Sequence, residues 1–161
     1  VRGIDPWPVA PAGRRPPRVA ADHAFGDDTN DERVLDAVLY RLVETAGAEL
    51  RERRLTTRRI GVALDHADGV RCVRQRSSAV GTADDPALYA LARSAFELAR
   101  FRRVRIRHMR LVCDRLVFPS GQMGLFDDDP APRQARLVAA LDAVRRRFGR
   151  DAVRLGRTLA A

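Results

Sequence analysis

Residues 58–77 read Arg58-Arg59-Ile60-Gly61-Val62-Ala63-Leu64-Asp65-His66-Ala67-Asp68-Gly69-Val70-Arg71-Cys72-Val73-Arg74-Gln75-Arg76-Ser77, and they decide the fold. From Arg58 to Asp65 the side chains alternate. Ile60, Val62 and Leu64 share one side, and Arg59, Gly61 and Ala63 the other, which is the period-two signature of a half-buried strand. Asp68-Gly69 carries tight-hairpin chemistry, because glycine takes a positive φ without steric cost. A second strand is therefore expected from Val70 to about Ser77. Val70 and Cys72 continue the apolar side, Arg71, Val73 and Gln75 form the opposite one, and Arg74 and Arg76 lie further on.

Both flanks of this hairpin carry helical periodicity. Upstream, Thr29 and Glu32 have the T-x-x-E spacing of a capping box. The helix that follows runs to about Glu52, with Val34, Leu35, Val38, Leu39, Leu42, Ala46 and Leu50 as its apolar stripe. A strand over Arg18 to Phe25 precedes it. Downstream, a helix over Pro86 to Arg100, capped by Asp84, has the stripe Leu88, Leu91, Ala92, Ala95, Phe96 and Leu98. The last strand is expected to start at Arg103. Val104 and Ile106 share one phase and Met109, Leu111 and Cys113 the other, so a slip at Arg107-His108 predicts a β-bulge.

The order strand, helix, strand, strand, helix, strand is the split β-α-β-β-α-β pattern. It predicts an α+β domain over residues 18–118, a four-stranded antiparallel sheet backed by two helices on one face. Residues 1–17 hold five of the nine prolines (Pro6, Pro8, Pro11, Pro16 and Pro17) and read as an extended linker. Residues 119–132 read as a loop. Residues 133–161 carry a last helix, striped by Leu137, Val138, Leu141 and Val144 and closed by Gly149, and a short tail.

Composition narrows the partners. The net charge is +9 over 161 residues, a surplus suited to a polyanion such as nucleic acid. All 30 basic residues are arginine. A GC-rich genome accounts for the missing lysine, but not for the positive balance. No uninterrupted apolar run is long enough for a membrane span, and no membrane partner is expected. Cys72 and Cys113 lack the paired spacing of a zinc site and read as buried free thiols. His23, His66 and His108 are scattered, so no metal site is expected. The acids Asp27-Asp28 and Asp84-Asp85 precede helices, where they complement the dipole. No Ser/His/Asp grouping or phosphate-cradling glycine loop stands out, and no catalytic residue is assigned.

The sheet face away from the helices is expected to carry Arg59, Arg71, Arg103, Arg105 and Arg107, with Arg74 and Arg76 beyond them. These are the candidate DNA-binding residues. Such a face grips duplex backbone without reading sequence, since guanidinium groups match phosphates and few groups are left for base edges.

After the domain comes Gln122-Met123-Gly124-Leu125-Phe126, set between Pro119-Ser120-Gly121 and the acidic Asp127-Asp128-Asp129. One reading tucks this loop onto its own core. The pentapeptide also resembles the Q-x-x-L-F peptide by which bacterial replication and repair proteins bind the sliding clamp. That resemblance implies that Gln122 hydrogen-bonds in a polar pocket while Met123, Leu125 and Phe126 fill an apolar one.

Several stretches together resemble the little finger, the C-terminal DNA-binding domain of Y-family translesion DNA polymerases of the DNA polymerase IV kind. They are Gly3-Ile4-Asp5 with Pro8-Val9, Ala24-Phe25 with Asp27-Asp28, Leu50-Arg51, Thr57-Arg58-Arg59-Ile60, Val104-Arg105-Ile106-Arg107, and Leu141-Asp142-Ala143-Val144-Arg145 with Phe148-Gly149-Arg150-Asp151-Ala152-Val153. Ala24 and Gly124 depart from the family's usual residues, and a helix follows the clamp peptide. The resemblance implies that residues 1–17 leave a thumb domain, and that a palm outside this chain carries Mg2+ and performs nucleotidyl transfer. This fragment would then need no cofactor of its own. Its partners would be primer–template duplex and a bacterial sliding clamp, in the bacterial cytoplasm. The alternatives are the same domain in a catalytically inactive Y-family accessory protein, and a stand-alone RNA-binding α+β module. The latter needs exposed sheet aromatics to stack bases, and the predicted strands offer Phe25 and Phe118.

Overall fold

A computed structural model describes residues 18–118, 132–149, 152, 153 and 156. The elements are β1 (Val19–Thr29), α1 (Glu32–Glu52), β2 (Thr56–His66), β3 (Arg71–Thr82), α2 (Asp85–Ala99), β4 (Ile106–Val117) and α3 (Pro132–Phe148). The expected β-α-β-β-α-β order is present. The four strands form one antiparallel sheet in the order β1-β4-β2-β3. The last strand thus lies between the first and second, where periodicity alone could not place it.

One face of the sheet is buried under α1 and α2. Val19 and Ala21 of β1, Ile60, Val62 and Leu64 of β2, and Met109, Leu111 and Cys113 of β4 pack in one core. Leu35, Leu39, Val43 and Leu50 of α1 and Leu88, Ala92 and Phe96 of α2 close it from the helix side. Burial on this scale is the main favourable term in folding. The phase slip in β4 is real. Asp65 pairs with His108 and His66 with Ile106, so Arg107 has no partner on β2 and bulges. Ile106 and Met109 are consequently both buried, although they are three residues apart.

Element ends differ from the sequence expectations where local chemistry competes. β1 extends to Thr29, and α1 is capped by Asp31, not by a Thr29–Glu32 box. The Asp31 carboxylate accepts the Arg33 amide at 2.8 Å, and the Thr29 hydroxyl accepts the Asp31 amide at 3.1 Å. β4 starts at Ile106, because the backbone at residues 103–105 is held by neighbours outside the ladder. Val70 belongs to the hairpin turn and is 43% exposed, so it does not continue the apolar side. Gly69 takes φ 83 there. Asp84 caps α2 as expected, accepting the Ala87 amide at 3.2 Å.

α3 is tied to α1 by ion pairs, and its Val138 is buried. Arg145 reaches Glu44 at 2.7 Å, and Arg51 reaches Asp142 at 2.7 Å. Gly149, at φ 95, ends the helix by donating its amide to the Arg145 carbonyl at 3.0 Å. Leu137, expected in the apolar stripe, is exposed.

Candidate nucleic-acid interface

The sheet face away from the helices is built in rows by the register. One row is Ala24, His108, Asp65 and Arg71; the next is Asp22, Arg110, Ala63 and Val73; then come Ala20, Val112, Gly61 and Gln75; then Asp114, Arg59 and Ser77. The expected arginine-studded surface is not what forms. Arg59, Arg71 and Arg110 are set against Asp22, Asp65 and Asp114, and the middle of the face is a shelf of small and apolar residues. Arg59 grips Asp114 with Nε at 2.5 Å and Nη2 at 2.6 Å. Arg71 grips Asp65 at 2.6 and 2.8 Å. The Arg71 guanidinium, and His108 beside it, hold the Asp65 carboxyl below the usual carboxylate range. Alternation identified the face correctly. It could not show that Arg59 and Arg71 would each meet a carboxylate on the neighbouring strand.

Uncompensated charge sits instead at one end of the sheet, on the segment entering β4. Three consecutive carbonyls are pinned there. Asn30 Nδ2 donates to the Arg103 carbonyl at 3.1 Å, His66 Nδ1 to Val104 at 3.1 Å, and the Ala67 amide to Arg105 at 2.9 Å. His66 is buried and carries its proton on Nδ1, because a carbonyl can only accept. Its Nε2 has no partner among the described residues. This anchorage projects Arg103 and Arg105, both exposed and neither with an acid partner among the described residues. Arg107, at the bulge, is braced by Asp28 at 3.2 and 3.1 Å. Arg102 holds the hairpin residue Asp68 at 2.7 Å and keeps its carboxyl below the usual range.

Arg74 and Arg76 are not part of this group. By register they oppose Val62 and Ile60 and therefore lie on the helix side of β3. Arg76 Nε donates to Ser94 Oγ on α2 at 2.9 Å, and the Arg74 guanidinium lies 5.7 Å from the Phe101 ring centre. The residues proposed for clamp contact, Gln122, Met123, Leu125 and Phe126, lie outside the described residues.

Arg51, quoted in the sequence only within the Leu50-Arg51 resemblance, joins three helices. Nη1 donates to Asp85 and to the Ala83 carbonyl, both at 2.6 Å, and Nε to Asp142 at 2.7 Å. Among the described residues no helix is long and apolar enough to cross a membrane.

Residues 16–125 match the family described as the impB/mucB/samB family C-terminal domain. The chain belongs to this family. No curated protein matches it significantly over its length. The impB/mucB/samB C-terminal domain seen here shares its fold with solved structures of Y-family polymerases. The Dbh DNA polymerase in a post-insertion binary complex matches with TM-score 0.55 and 18% identity, covering 63% of this chain and 29% of that one. DinB from Sulfolobus solfataricus matches with TM-score 0.52 and 17% identity over the same shares, 63% and 29%. The little finger domain of PolIV, in a complex with the beta-clamp processivity factor, matches with TM-score 0.50 and 19% identity, covering 66% of this chain and 93% of that one. This family domain therefore has the little finger fold, and it spans less than a third of the length of the two whole polymerases.

Proposed function

We propose that this little finger domain grips duplex DNA through the phosphate backbone, as part of a translesion polymerase whose Mg2+-dependent palm lies outside this chain. The observation that carries the reading is the pinned segment of Arg103–Arg105. Its three carbonyls are fixed by Asn30, His66 and Ala67, so two guanidinium groups without an acid partner among the described residues stand at the sheet end on a backbone that needs no further ordering. The neutral shelf beside them lets a duplex approach without repulsion. Among the described residues, the shelf of Ala20, Val112, Gly61, Gln75, Ala63 and Val73 carries no aromatic to stack a base, which favours duplex over single-stranded RNA.

The test is duplex binding followed by fluorescence anisotropy across a salt series. Arg103→Glu with Arg105→Glu is expected to lower affinity by more than a hundredfold at about 0.1 M salt, and to flatten the salt dependence by about two counterions. Unchanged affinity would overturn the reading. Clamp docking by Gln122, Met123, Leu125 and Phe126 belongs to the same proposal. It rests on the peptide's sequence and on the fold shared with a little finger solved in complex with a clamp. Pull-down on a bacterial sliding clamp should retain the wild-type chain and lose Leu125→Ala with Phe126→Ala.

A further inference from the structure

His108 stands on the sheet face away from the helices, in the row Ala24, His108, Asp65 and Arg71. That row is the one nearest the pinned segment of Arg103–Arg105, since the next pair along is His66–Ile106. A carboxylate faces each nitrogen of its ring. Nδ1 lies 3.2 Å from Asp65 Oδ2 on β2, and Nε2 lies 3.6 Å from Asp22 Oδ2 on β1. A carboxylate can only accept. A neutral imidazole has one N–H and one lone pair, so it serves one of these acids and turns a lone pair toward the other. The imidazolium donates to both. The ring is partly exposed, so its proton exchanges with solvent without unfolding.

The surrounding charges make that proton count. Within the paired rows of this face Arg59, Arg71 and Arg110 are balanced by Asp114, Asp65 and Asp22. The face is therefore neutral with neutral His108, and carries one positive charge with the imidazolium. The groups around the ring are Asp22 and His23 on β1, Asp65 on β2 with Arg71 of β3 behind it, and Arg110 and Arg107 on β4, the last taken up by Asp28. Arg71 holds the Asp65 carboxyl low, so it remains a fixed acceptor. His23 is held below the usual histidine range by burial, with the charges of Arg41 and His108 adding to it. We propose that His108 is a proton-operated control on DNA binding: as pH falls it takes up a proton, adds a positive charge to the face beside Arg103 and Arg105, and tightens the hold on phosphate. The coupling is reciprocal, so duplex binding draws a proton onto the ring. This proposal deepens the duplex-binding reading and rests on it, and its test separates the two.

Duplex affinity of the 161-residue chain is read by anisotropy in about 0.1 M salt between about pH 8 and pH 5.5, the range in which an imidazole titrates. The wild-type chain is expected to bind about fivefold more tightly at the acid end, with a salt slope steeper by up to about one counterion. His108→Gln keeps a donor for Asp65 but cannot charge, and should stay at the weaker level throughout. His108→Arg is charged at every pH, and should stay at the tighter level throughout. His23→Gln should keep the wild-type profile. Calorimetry at about pH 6.5 in two buffers of different ionisation enthalpy should show proton uptake on binding by the wild-type chain and none by His108→Gln. A wild-type affinity that does not change with pH, or a His108→Gln variant that keeps the wild-type profile, would overturn the control and leave duplex binding standing. Failure to bind duplex at any pH would overturn the duplex reading itself.

Discussion

Arg59 and Asp114 face each other on the two central strands and form a two-pronged ion pair, Nε to Oδ1 at 2.5 Å and Nη2 to Oδ2 at 2.6 Å. A guanidinium held this way has one edge of its fork filled and its charge balanced, which makes it a poorer ligand for a phosphate. Asp114→Asn should release it. Duplex affinity is expected to rise severalfold at low salt, with the salt slope steeper by about one counterion, as read by anisotropy titrations. Arg59→Gln should leave affinity within about twofold of wild type. A large loss in that variant would mean that Arg59 contacts DNA despite its partner.

Arg51 neutralises Asp85 where α1, α2 and α3 meet. Burial pushes the Asp85 carboxyl above the usual range, against the pull of Arg51. Removing the cation leaves a buried, unpaired charge, so Arg51→Met is expected to lose about 3 kcal/mol in urea unfolding at pH 7. The pH dependence has a definite sign. A raised folded-state pKa contributes stability at low pH that is lost as pH rises through it. With Arg51 gone the rise is larger, so the variant should recover part of its deficit between about pH 7 and pH 5. The carboxyls of Asp65 and Asp68 are shifted down, and their contribution is lost only as pH falls below about 4, so they do not mask the recovery.

Gly47 sits where α1 crosses α2. A Cβ there would overlap Asp85 Oδ1 and lie 3.3 Å from Leu88 Cδ1. Gly47→Ala gains up to about 1 kcal/mol of helix propensity, but the overlap falls on a short buried side chain that is already committed to Arg51. The net expectation is destabilisation by about 1–2 kcal/mol, measured by urea unfolding. A more stable variant would show that the two helices can separate at little cost.

Cys113 is fully buried and its thiol is pushed up to about 12 by burial, with Asp114 and Glu49 adding to it. The thiolate is the reactive form. In a Cys72→Ser background a thiol reagent at pH 8 should fail to label the folded chain, and should label it promptly in urea. Rapid labelling of the native protein would mean that β4 opens locally.

Local chemistry along the chain determined the elements. Alternation at Ile60, Val62 and Leu64 marked β2, Asp68-Gly69 placed the hairpin, Asp84 capped α2, and the slip at Arg107-His108 announced the bulge. Each is a property of residues a few positions apart, so no knowledge of distant neighbours was required. The sheet order β1-β4-β2-β3 and the fate of the arginines depended on the tertiary structure. Arg59 and Asp114 are 55 positions apart in sequence and become neighbours only when β4 inserts between β1 and β2. Charge on a side chain is written in the sequence. Whether that charge is available to a ligand depends on what the fold sets beside it, and here the fold neutralises the face and leaves one end basic.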